Sequence, residues 1–195
     1  MVEPNTEWLD TQPATELDAH LLRARRIMLP SQIDAEAAEA AVSRLLLLEA
    51  EQPEEPISLY INSTGDVPRA GLAIYDAMQA IRSPVSTVCI GTAAGMGALL
   101  LSAGAEGRRF ASPHARITMH QPMAETPLQG NATEVESQVR EWRRTRDHIH
   151  RLYAHHTGQD IDRSARDTER ADWMSATDAQ TYGLIDAIQM STRAE

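Results

Sequence analysis

The chain alternates between short unbroken apolar runs and longer stretches where apolar residues return every three or four positions, the periods of strand and helix. Arg26-Ile27-Met28-Leu29 reads as a short strand halted by Pro30. Ser31 then opens a helix whose body, Ala35 to Glu51, is rich in Ala, Leu and Glu. Its run Leu45-Leu46-Leu47-Leu48 is apolar on more than one face, which predicts burial, and Pro53 and Pro56 end it. Ile57 to Asn62 predicts a strand closed by the turn Ser63-Thr64-Gly65-Asp66. A helix follows over Ala70 to Ile81. Val85 to Ile90 is β-branched and nearly continuous, the pattern of a strand covered on both faces. Gly91 to Gly104 predicts a helix of small residues and leucines. Phe110 to Ser112 and Ile117 to His120 read as short strands, and Gln121 to Gly130 as a loop. A long helix from Ala132 to His156 carries the apolar stripe Val135, Val139, Trp142, Ile149 and Leu152. Short helices over Asp162 to Glu169 and Ala176 to Tyr182, then a strand near Leu184 to Ile188, complete the pattern. Strand–turn–helix units therefore recur, Ile57 to Ile81 and Val85 to Gly104, and the fold class is α/β.

Met1 to Glu16 has no apolar period and reads as a flexible arm, leaving residues 17–195 as a single domain. That length buries a core without disulfides or metals. The net charge of −10 and the lack of any basic run disfavour a nucleic-acid partner. Cys89 is the only cysteine, which excludes an internal disulfide and a cysteine zinc site. No stretch reaches the roughly 18 apolar residues of a membrane span, and the acidic, polar start does not resemble a secretory signal. The expectation is a cytoplasmic protein without a membrane partner. All 18 basic residues are arginine, so a Schiff-base lysine, a Ser-Lys dyad and a P-loop lysine are excluded together. No GxGxxG or GxxxxGK[ST] follows a strand, so no nucleotide or other cofactor is expected.

Few residues stand out as chemistry on spacing alone. Gly91-Thr92-Ala93-Ala94-Gly95-Met96-Gly97-Ala98 crosses a strand-to-helix turn, where small residues serve either tight packing or close backbone approach to a ligand. His120 ends a strand, and Asp167 lies in the charged run Arg166 to Arg170; each fits a structural role as readily as a catalytic one. His148, His150, His155 and His156 read as the polar side of the long helix, at spacings that do not suit a metal.

In order, these motifs resemble the proteolytic subunit of the Clp protease (ClpP). The strings are Leu48-Glu49-Ala50-Glu51, Ile57 to Ser63, Ala73-Ile74-Tyr75-Asp76, Val85-Ser86-Thr87, Ala93 to Ala98, His120-Gln121-Pro122, Arg166 to Arg170 and Tyr182 to Asp186. The likeness runs from about Leu17 to Ile188. It implies a crotonase-like spiral of ββα units with a protruding handle, here the segment from Gln121 to His156. It further implies heptameric rings stacked into a tetradecamer, fed by an AAA+ unfoldase, with a Ser-His-Asp triad inside. Position by position, the histidine falls on His120 and the aspartate on Asp167.

The nucleophile position is Gly95, which carries no hydroxyl to form an acyl-enzyme. Neither Cys89 nor Thr92 occupies the serine slot. The oxyanion-hole positions are Asp66 and Met96. At the first of these the family has glycine, so a carboxylate stands where negative charge should develop. Pro68 replaces a residue whose N–H pairs with substrate, and the segment Met123 to Gln129 is longer than usual and contains Pro127. An engineered Ser→Gly change explains Gly95 alone, whereas natural degeneration explains all of these departures. Of the unfoldase-docking pocket, Tyr60 and Phe110 match. Ser58, Ala80 and Ser112 replace larger apolar residues, each exchange forgoing up to about 1.5–3 kcal/mol of burial. Arg166, with Asn131 or Glu134, matches a ring–ring contact. The resemblance thus implies a non-catalytic, ClpR-like subunit that co-assembles with an active paralogue and modulates proteolysis. One alternative is an active Clp serine endopeptidase subunit in which Gly95 was introduced. Another is a crotonase-type acyl-CoA enzyme, for which no motif is present.

Overall fold

The computed structural model describes residues 16–122 and 129–189. The arm before residue 16, the segment 123–128 with Pro127, and the last residues lie outside that description. Seven helices are described, in the order α1 (Glu16–Arg23), α2 (Ala35–Glu51), α3 (Pro68–Ala80), α4 (Met96–Ser102), α5 (Ala132–Thr157), α6 (Ile161–Arg170) and α7 (Ala176–Tyr182). The strands are β1 (Arg26–Met28), β2 (Gln32–Ile33), β3 (Ile57–Ser63), β4 (Gly65–Asp66), β5 (Val85–Ala94), β6 (Arg109–Ala111), β7 (Arg116–Thr118), β8 (Trp173–Ser175) and β9 (Ala187–Ile188). The main sheet runs β1-β3-β5-β6-β9, all pairs parallel, and β7 and β8 extend it from β5. This is the α/β class expected.

Strand β5 organises the domain. Its first half is buried and pairs with β3 on one side and β6 on the other. Its second half leaves β6 and pairs instead with β7, Thr92 opposite Arg116 through Ala94 opposite Thr118. The fork is made by a register shift in β3 between Ile61 and Ser63. There Asn62 turns outward, and its Oδ1 accepts from the Thr92 N–H at 3.1 Å. Gly91 permits this, because at its φ of +87° a Cβ would meet that same Oδ1 at 2.8 Å. The bend aims the end of β5 into α4, whose residues are all buried.

Helix α2 starts at an Asp34 cap that accepts from the Ala37 N–H. It buries Ala38, Ala41, Leu45 and Leu48 against a core that includes Ile27, Ile57, Leu59, Ile61 and Leu99. Leu46 is half exposed, so the leucine run is buried along one stripe rather than all round. The helix begins at Ala35, not Ser31, because Gln32–Ile33 pairs in parallel with Gly65–Asp66, a short sheet replacing the expected turn. Strand β5 reaches Ala94 rather than Ile90, since pairing with β7 holds its glycine-containing end extended. Helix α4 is correspondingly shorter than Gly91 to Gly104. The long helix reaches Thr157, one residue beyond expectation, and ends on Gly158 in the left-handed region.

Two arginines brace the edges of the sheet. Arg25, at a φ of +55°, bonds the carbonyls of Leu48, Gln52, Glu55 and Pro56 and the Ser83 hydroxyl, tying off the end of α2. Arg109 forks onto Asp186 at 3.0 and 2.5 Å, while its other nitrogen reaches the carbonyls of Ser102, His156 and Gly183. Burial pushes the Asp186 carboxyl up, but the arginine fork and backbone donors outweigh it and hold the group below the usual carboxylate range.

Candidate active site

The site forms where β5 becomes α4. The strand ends at Ala94 and the helix begins at Met96, so Gly95 alone makes the corner, at φ +49° and ψ −116°. In α/β-hydrolase folds a strand-to-helix elbow of this kind presents the nucleophile. A non-glycine residue is strained there, and glycine is not. The corner is firmly held. The Gly95 N–H donates to the Thr118 carbonyl at 3.0 Å, and its carbonyl accepts from the Leu99 N–H at 3.0 Å and the Tyr153 hydroxyl at 2.8 Å. Tyr153 is wholly buried, which pushes its phenol well above its ordinary value and keeps it a hydrogen-bond donor.

His120 lies two residues beyond β7 and faces this elbow. A Cβ built on Gly95 would overlap the His120 ring at Cε1 and Nε2. The imidazole thus occupies the space a side chain at position 95 would need. Its Nδ1 donates to the Gln121 carbonyl at 3.0 Å, and Nε2 lies 3.5 Å from the Thr64 carbonyl. The space left among Gly95, Met96, His120, Pro122, Ile149 and Tyr153 is about 10 Å³, room for about one water.

Asp167 sits on α6 nearby, since the Gln121 N–H donates to the adjacent Thr168 carbonyl at 3.1 Å. Yet its carboxylate is engaged elsewhere. Tyr182 donates to Asp167 Oδ2 at 3.0 Å, and Arg163 stands 3.5 Å from the same oxygen. Burial first, then the Asp167 partner, push the Tyr182 phenol up to about 12. His120 and Asp167 share no hydrogen bond among the described residues. In a working triad that bond fixes the imidazole tautomer. The structure brings Gly95 and His120 into contact, while the Asp167 carboxylate is held by Tyr182 and Arg163.

The remaining expected residues fall as follows. Met96 is buried at the start of α4, its side chain against Gly71. The Asp66 backbone pairs with Ile33 in the small sheet, and its carboxylate lies outside the described residues. Pro68 is buried in the first turn of α3, a position where its missing N–H costs nothing to the helix. Tyr60, Val88 and Phe110 share one register row across β3, β5 and β6, so the two aromatics flank a common valine, both half-buried. Arg166 is exposed on α6. Asn131 and Glu134 are exposed at the head of α5, where they cap one another reciprocally.

Sequence reasoning missed two histidines. His150 is buried and bonds the Thr168 hydroxyl at 3.0 Å, joining α5 to α6 next to Asp167. Burial, with the Arg146 charge, holds its imidazole below the ordinary value. His156 is half-buried and bonds the Tyr75 hydroxyl at 2.9 Å; burial, His155 and Arg109 push it down to about 4. The polar side assigned to the long helix is therefore solvated over only part of its length, and the partners that bury it come from α3 and α6. Cys89 is buried in β5, and burial pushes its thiol up to about 12, a neutral and unreactive state. No group of three or more potential metal ligands occurs among the described residues, and no helix among them is long and apolar enough to cross a membrane.

A family model for Clp protease matches residues 10–192, nearly the whole chain. The mostly parallel sheet and its helices are consistent with that match. The chain belongs to the Clp protease family.

Proposed function

We propose that this chain is a non-catalytic, ClpR-like subunit of a Clp protease assembly, contributing structure and regulation rather than peptide cleavage. The observation that carries the reading is Gly95 at the elbow, where the attacking hydroxyl should stand. Two arrangements support it. The His120 ring fills the vacated position, and Asp167 is bonded to Tyr182 instead of to His120. Without its nucleophile a triad enzyme retains only about 10³–10⁴-fold over the uncatalysed rate, far too little for a peptide bond. The family scaffold is otherwise kept, so the chain's use lies in assembly. It co-assembles in heptameric rings with a serine-bearing relative, and the unfoldase docks on the complex through that relative, since Ser58, Ala80 and Ser112 deplete this chain's own docking pocket. Arg166, Asn131 and Glu134 stand at the contact between rings.

The test is native mass measurement of complexes pulled down through this chain, followed by peptidase assay of the same material. The expected result is a heptamer or tetradecamer containing a serine-bearing relative, whose activity disappears when that relative's serine is replaced. A homo-oligomer that cleaves peptides unaided would refute the reading.

A further inference from the structure

We infer that Gly95 and His120 form a coupled plug: the imidazole is seated in the side-chain slot of residue 95 and shuts the cleft against peptides. On this account the chain neither cleaves nor holds substrate at this site. The inference rests on the non-catalytic reading and adds to it, because a subunit lacking only its hydroxyl would still trap peptides.

Three observations converge. The ring atoms Cε1 and Nε2 occupy the position a Cβ on Gly95 would take. The ring is anchored there by its Nδ1 bond to the Gln121 carbonyl at 3.0 Å, and the Gln121 N–H is in turn bonded to the Thr168 carbonyl of α6 at 3.1 Å. The space that remains is about 10 Å³, and Ile149 and Tyr153 of α5 also line it. Tyr153 also donates to the Gly95 carbonyl at 2.8 Å, which helps to hold the elbow in place. An acyl group needs several times that volume. Glycine is the one residue compatible with this seat, since any side chain would expel the ring. The identity of residue 95 and the position of His120 are thus one feature.

The pairing is measurable without reference to catalysis. In a double-mutant cycle of Gly95→Ala and His120→Ala, backbone strain at φ +49° enters both arms and cancels, leaving the side-chain contact. Gly95→Ala should lower the melting temperature by at least about 2 °C more with His120 present than in the His120→Ala background. A single variant that fails to fold beside a double variant that folds gives the same answer. Equal drops in the two backgrounds overturn the plug. In the unsubstituted protein, labelled at histidine and glycine, a nuclear Overhauser effect between His120 Hε1 and a Gly95 Hα is expected; its absence refutes the seat. A fluorescent casein peptide should show no saturable binding to the unsubstituted chain, and saturable binding at this cleft would also refute it. These failures are distinct from failure of the non-catalytic reading, which only peptide cleavage by the chain itself would bring.

Discussion

Two regions of this domain handle charge and hydrogen bonds in opposite ways. At the β6–β9 edge, Arg109 and Asp186 are fully committed to each other and to the carbonyls around them, and every bond closes part of the fold. At the elbow, the residues that resemble a catalytic triad are near neighbours but bonded elsewhere: His120 to Gln121, and Asp167 to Tyr182. A network whose use is structural tolerates no loose partner, because an unpaired buried charge is costly. At the elbow each member has its own separate partner, so the fold does not depend on a bond between His120 and Asp167.

The sharpest way to break the contrast is at the structural end. Asp186→Ala strands the Arg109 guanidinium, only 12% exposed, and should cost about 3 kcal/mol, read by chemical unfolding. At the elbow, Gly95→Ser should itself destabilise by about 1–3 kcal/mol, since a side chain at φ +49° is strained and displaces His120. It should not bring back full peptidase activity, because Asp66 and Pro68 remain and Asp167 stays with Tyr182. The smallest effect belongs to Tyr182→Phe, about 1 kcal/mol for one lost hydrogen bond, which leaves Asp167 with Arg163 and does not touch the β6–β9 edge.

Acid should separate the structural groups in turn. His156 titrates near 4 when folded and near the ordinary value of about 6.5 when unfolded, so the unfolded chain binds the extra proton between them. Its contribution is complete above about pH 6.5 and is lost as the pH falls towards 4; His150, also lowered, acts in the same direction. Asp186, lowered in the fold, contributes above the ordinary carboxylate value and loses that contribution only at still lower pH. Thermal unfolding across this range should show a first decline that His156→Gln reduces and a later one that it does not.

Much of this was legible in the sequence because the signals were local. Ser175 and Gly183 bracket α7, and Asn131 with Glu134 opens α5, so those helices fall where their caps predict. Strands β2, β4 and β8 were not legible. Each is two or three residues long and exists only through a partner distant in sequence, as Gln32 does through Gly65 and Trp173 through Thr118. The same limit applied to the histidines. Helical period places His150 and His156 on a polar face, but Thr168 and Tyr75, brought in by other helices, bury them. At the site, the identities of residues 95, 120 and 167 were readable. Where the imidazole points was not, since that depends on a contact across 25 positions between β5 and the end of β7.

The central claim is tested most directly by incubating the isolated, unsubstituted chain with a fluorophosphonate probe and, in parallel, with casein. The account predicts an unlabelled polypeptide of unchanged mass and intact casein. A covalent adduct at any residue of the Gly95–His120 cleft, together with casein turnover, would contradict it.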